Sequence, residues 1–101
     1  MTSIKAGVRI LGLCPEMLLA HVIIQSIYES MKSDCVITSI TDGTHGTASL
    51  HYSGQAIDYR TRHLFDEEKT KLLNRVAGAL HEEFDVVLES DHLHVEFQPK
   101  H

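Results

Sequence analysis

The sequence predicts an α+β domain in which two main helices cover one face of a small, mostly antiparallel sheet. Three observations lead there. Apolar residues recur at helical spacing in two separate stretches, Met17 to Met31 and Leu72 to Leu80. Short β-branched or alternating segments lie between and after them, and turn-forming residues separate one segment from the next. The resulting order of strand, helix, strand, strand, helix, hairpin keeps the helices on one side of the sheet. The 101 residues suffice for one domain, residues 1–101, with a single modest core.

Taken in order, Ile4 to Leu13 contains a short strand centred on Val8-Arg9-Ile10-Leu11, and Gly12 allows a turn. Pro15 suits the first helical position, where its missing N–H is no loss. Met17, Ala20, Ile24, Ile27, Tyr28 and Met31 then mark one apolar face of a helix from about Pro15 to Lys32, with His21 packed on or beside that face. Ser33-Asp34 breaks the helix, and Cys35 to Ile40 is β-branched enough for a strand. Asp42-Gly43 and Gly46 make a loop that continues to about Leu50.

Gln55 to Arg60 reads as a strand with Ile57 and Tyr59 on one face and Ala56, Asp58 and Arg60 on the other. Asp66 caps the second helix, and the acids Glu67 and Glu68 follow at the positive end of its dipole. Leu72, Leu73, Val76, Ala77, Leu80 and Phe84 form its buried stripe, ending near Glu83. Gly78 inside that helix costs about 1 kcal/mol relative to alanine, which points to a close contact. Asp85 to Glu89, a turn at Ser90-Asp91-His92, and Leu93 to Gln98 complete a hairpin.

Composition narrows the function. A formal charge of −5 leaves no basic face for nucleic acid. No apolar run reaches the roughly 18 to 20 residues that span a bilayer. The amino terminus lacks the features of a secretory signal, so cytoplasmic synthesis is expected, with another factor delivering the protein if it acts outside. Cys14 and Cys35 are widely spaced and outside any Cys-x-x-Cys pair, which favours two reduced thiols. A monomer is expected. Eight histidines are the compositional oddity, and their spacing carries the rest.

In the last strand Leu93, Val95 and Phe97 alternate with His94 and Glu96. If the apolar members face the helices, His94 and Asp58 both project from the opposite face, and His51 enters it from the preceding loop. Gly54 permits a tight bend and Ala56 leaves room. Two imidazoles and a carboxylate are a recurrent set for one catalytic Zn2+, with water in the fourth position. A further carboxylate must carry the water's proton to the leaving group. Asp91, three residues before His94, is the candidate, because strand alternation does not carry through its turn.

With these residues the sequence resembles the M15 zinc peptidases, which share the Hedgehog/D-Ala-D-Ala peptidase fold. The family signature, Ser-x-His-x-x-Gly-x-Ala-x-Asp and a later Asp/Glu-x-x-His, stands here as Ser49 to Asp58 and Asp91 to His94. The resemblance implies His51, Asp58 and His94 as zinc ligands and Asp91 as general base. It also implies a peptidoglycan stem peptide as substrate, cut at L-Ala–D-Glu or at D-Ala-D-Ala, as in a phage endolysin. The aspartate at the base position is similar to the L-Ala–D-Glu branch. One departure stands out: where many members carry an arginine for the substrate carbonyl, this chain has Ile40-Thr41-Asp42-Gly43-Thr44-His45. That leaves His45, His92 and Arg60 as oxyanion candidates. Ser49 is a candidate substrate contact, and Glu96 a partner that orients a ligand. The alternative is a non-catalytic, zinc-containing binding or structural module of the same fold.

Overall fold

The computed structural model describes residues 2–7, 13–41 and 56–98. Five strands form one sheet in the order β1-β2-β3-β5-β4. They are β1 (Thr2–Ile4), β2 (Cys35–Thr41), β3 (Ala56–Arg60), β4 (Phe84–Leu88) and β5 (His92–Phe97). Among the described residues two helices, α1 (Pro15–Ser30) and α2 (Asp66–Ala79), accompany the sheet. Every neighbouring pair is antiparallel except β1 with β2, so the sheet is mixed but mostly antiparallel, as the sequence predicts. The first strand lies at Thr2–Ile4; the expected strand around Val8–Leu11 falls outside the described residues.

Helix α1 starts as its sequence requires, with Pro15 at the first position and the Cys14 carbonyl accepting from the Met17 and Leu18 amides. Met17, Ala20, Ile24 and Tyr28 are buried along one stripe. The helix stops at Ser30, short of the expected Lys32. Lys32 takes a left-handed conformation with φ 57°, its N–H bonds to the Glu29 carbonyl, and the Ser33 N–H reaches back to the Tyr28 carbonyl. This is a Schellman closure, and lysine occupies the position that glycine usually fills.

Helix α2 differs from its sequence reading at both ends. Phe65, not Asp66, occupies the cap position, and the Glu68 carboxylate reaches back to accept from the Phe65 N–H at 2.9 Å. Glu68 thus satisfies the backbone donor of the cap residue, while the phenylalanine side chain offers no acceptor to the amides of the first turn. The helix ends at Ala79, and Phe84 belongs to β4 instead. Leu72, Val76 and Leu80 are buried and Leu73 packs at the margin, whereas Ala77 is exposed. Gly78 makes no close contact: a Cβ there would meet nothing within 4 Å. The expectation of a packing glycine is therefore wrong, because Gly78 lies on the solvent side of the helix.

The core lies between the helices and one sheet face. Ile57 and Tyr59 of β3 and Leu93 and Val95 of β5 are fully buried against Met17, Ile24 and Tyr28 of α1 and Leu72 and Val76 of α2. Each such side chain contributes about 1.5–3 kcal/mol by leaving water. That energy sets the strand register, since a one-residue slip would turn every buried member outward. Cys35 is buried and Cys14 partly so, and both are free thiols. Burial raises the pKa of each, that of Cys35 to about 11.

Candidate functional site on the open sheet face

The same register delivers the polar residues to the face away from the helices. In the β3–β5 ladder Asp58 stands opposite His94, Arg60 opposite His92, and Ala56 opposite Glu96. Alternation makes this arrangement follow from the core: Ile57, Tyr59, Leu93 and Val95 point inward, so Asp58, His92, His94 and Glu96 point the other way. Asp58, His92, His94 and Glu96 are each half-buried. Ala56 is buried.

Asp58 Oδ1 lies 2.6 Å from His94 Nδ1, and Glu96 Oε1 lies 3.0 Å from His94 Nε2. Both ring nitrogens therefore face carboxylate oxygens, a pairing complete only for the imidazolium. Burial works against charge on this ring, but the hydrogen bonds to Glu96 and Asp58 and their negative charge outweigh it, and the His94 pKa is raised. The Gln98 side-chain amide donates to the second Glu96 oxygen, which holds the carboxylate in place.

At the end of the row, His92 links Asp91 to Asp58. Its Nδ1 lies 2.8 Å from Asp91 Oδ1 and its Nε2 lies 3.8 Å from Asp58 Oδ2. Asp91 sits in the β4–β5 turn, its side chain 67% exposed, and its carbonyl accepts from the Thr61 N–H at 3.0 Å. The hydrogen bond from His92, with a smaller contribution from the charge of Arg62, holds the Asp91 carboxyl below its ordinary pKa. Asp91 is thus ionised at neutral pH.

Of the residues singled out from sequence, Asp58, Arg60, Asp91, His92, His94 and Glu96 lie on this face or at its rim. His45, Ser49 and His51 lie outside the described residues. Among the described residues no group of three or more His, Cys, Asp or Glu side chains converges as a metal site. The donor chemistry suits zinc all the same: an imidazole nitrogen and a carboxylate oxygen already meet, and a second carboxylate backs the ring.

His21 packs as the sequence implies. It stacks on the Tyr59 ring with centroids 5.8 Å apart, and its nitrogens meet the Tyr59 hydroxyl at 2.8 Å and the Thr2 hydroxyl at 2.9 Å. Sequence reasoning missed Lys5, Thr38 and Arg62. With Arg60, Asp91 and His92 they line a cleft of about 240 Å³ at the end of the sheet. Lys5 and Thr38 are far from Arg62 in sequence, and only the β1–β2–β3 pairing unites them; the one available signal was the Arg60-x-Arg62 spacing.

Two helices against one face of a five-stranded mixed sheet, with an Asp–His row on the other, define a small α+β domain of the Hedgehog type. Residues 14–97 match the Hedgehog amino-terminal signalling domain, and the chain belongs to that family, whose fold is related to that of zinc peptidases. No curated protein and no solved structure matches the chain. No described helix is long and apolar enough to cross a membrane.

Proposed function

We propose that this domain is a zinc-dependent peptidase that hydrolyses peptidoglycan stem peptides, at the L-Ala–D-Glu or the D-Ala-D-Ala bond, as a phage lysin does. The observation that carries this reading is the direct contact of Asp58 with His94, with the ionised Asp91 carboxylate tied by His92 to the same row. Asp58 and His94 would hold one zinc ion, joined by His51 of the Ser49–Asp58 signature. Zinc, when bound, supplies a Lewis acid for the scissile carbonyl and lowers the pKa of water towards about 7.

The chain's own residues divide the remaining work. Glu96 accepts from His94 Nε2 and so holds Nδ1 towards Asp58, where that nitrogen, on giving up the proton it shares with Asp58, would serve as the ligand atom. Asp91 takes the proton of the attacking water and passes it to the leaving amine. His92 orients Asp91 through Nδ1–H. With that proton placed, His92 Nε2 carries one only in the imidazolium, so oxyanion stabilisation by His92 belongs to the charged form.

The match to a signalling domain favours a second reading, a zinc-containing binding or structural module without turnover. One experiment separates them. Zinc-loaded protein and Asp91→Ala are incubated with purified peptidoglycan, and the fragments are read by mass spectrometry. The peptidase reading expects new amino termini from wild type only, with equal zinc content in both proteins. Zinc in both and no cleavage by wild type selects the module. Absence of stoichiometric zinc in wild type removes both.

A further inference from the structure

The cleft beside the Asp58–His94 row gathers basic side chains from separate parts of the chain. Among the described residues its walls bring three cations, Lys5, Arg60 and Arg62, together with one carboxylate, Asp91, and with Thr38 and His92, in a chain whose formal charge is −5. Among the described residues neither arginine nor Lys5 has an ion-pair partner within 4 Å. Like charges gathered in one concave site repel unless an anion sits among them.

The cleft is also held in shape by contacts made before any ligand arrives. The Lys5 N–H bonds to the Ile37 carbonyl at 2.9 Å, anchoring the end of β1 against β2. The β2–β3 register shifts between Ile37 and Ser39, so Thr38 is the extra residue of a bulge, and its hydroxyl bonds the Asp58 carbonyl at 3.3 Å. Bulges of this kind re-aim a side chain next to a site. On the opposite wall the buried Tyr28 hydroxyl donates to the Arg60 carbonyl at 3.0 Å, and the Thr61 N–H donates to the Asp91 carbonyl at 3.0 Å. The backbone carrying both arginines is thus pinned from the core and from the hairpin turn, which lowers the entropy lost on binding.

We propose that this cleft binds a carboxylate of the ligand handled at the neighbouring Asp58–His94 row. Guanidinium forks match a carboxylate in a planar, bidentate pairing, and lysine adds a point charge. The Asp91 charge in the wall disfavours a dianion and leaves room for a singly charged group. Arg60 lies two residues beyond Asp58 on the same strand face, about 7 Å along it. An extended peptide spans that distance in about two residues, so the carboxylate belongs within one or two residues of the group at the row. The placement rests on the peptidase reading; the anion site itself does not.

The test is an NMR titration of the Arg60 and Arg62 side-chain Nε–Hε signals, in metal-free and zinc-loaded protein, with N-acetylglycine, N-acetylglycinamide and inorganic phosphate. N-acetylglycine is expected to give saturable shifts in both forms, and the amide none. Arg60→Gln with Arg62→Gln, in which zinc content is unchanged, is expected to weaken N-acetylglycine by about tenfold or more, read on the backbone amides of Lys5 and His92. Lys5→Gln, at the edge of the sheet, is expected to weaken it by less. Equal binding of the amide, tighter binding of phosphate, or unchanged affinity in the double variant would each overturn the proposal. Saturable binding by protein that takes up no zinc would uphold the anion site while removing the peptidase reading.

Discussion

Asp58 and His94 are direct partners across β3 and β5, with Oδ1 and Nδ1 2.6 Å apart. They stand 36 positions apart in the chain, and their meeting is a consequence of core burial. Ile57 and Tyr59 on one strand and Leu93 and Val95 on the other all face the helices, with Ile57 paired to Val95 and Tyr59 to Leu93. That register sets an aspartate opposite a histidine on the free face, where Glu96 closes the far side of the ring.

Glu96→Gln keeps the shape of the side chain and removes the charge beside His94 Nε2. If His94 holds zinc, the variant is expected to bind it about 10–100-fold more weakly. Isothermal titration with zinc against wild type measures this, and equal affinities would exclude a role for Glu96 in orienting the ligand.

His21 predicts a pH dependence of stability. Burial lowers its pKa below the ordinary 6.5, and its hydrogen-bond partners Thr2 and Tyr59 are both neutral. The unfolded chain then binds a proton that the folded chain resists. The contribution is full above the ordinary pKa and is lost as pH falls from there towards the lower folded value. His21→Gln cannot titrate, so the stability advantage of wild type over this variant should shrink between about pH 8 and pH 5. Parallel denaturation midpoints across that range would contradict it.

Two glycine exchanges should both stabilise, for opposite reasons. Gly78→Ala places a methyl in open space on an exposed helical position and is expected to add up to about 1 kcal/mol. Lys32→Gly relieves a lysine held at φ 57° and is expected to add up to about 1 kcal/mol. Chemical denaturation of each variant checks them separately, and a loss of stability at either position would refute the corresponding argument.

Thr61 is fully buried, and among the described residues its hydroxyl has no hydrogen-bond partner. Thr61→Val preserves the shape and removes a polar atom whose burial is uncompensated, so stability should be unchanged or rise by about 1 kcal/mol. The Thr61 N–H to Asp91 bond is a backbone contact and survives the exchange. A clear drop in the unfolding midpoint would reveal a hydroxyl partner.

By itself the sequence determined the elements and their faces. Helical spacing from Met17 to Tyr28 and alternation in Ala56–Arg60 and His92–Phe97 are local properties, and each reappears as a buried stripe or face. The same alternation placed Asp58, His94 and Glu96 together on the outer face. Helix ends were less legible, because a cap depends on which side chain reaches back, as Glu68 does to Phe65, and on the surroundings of Gly78. Only the tertiary structure decided that Asp91 reaches Asp58 through His92. It alone brought Lys5 and Thr38 to the arginines of β3 and its end. Those contacts join residues distant in the chain through the parallel β1–β2 pairing, a bulge and a hairpin turn. None of the three leaves a periodic mark, because each is set by where the core brings separate segments to rest.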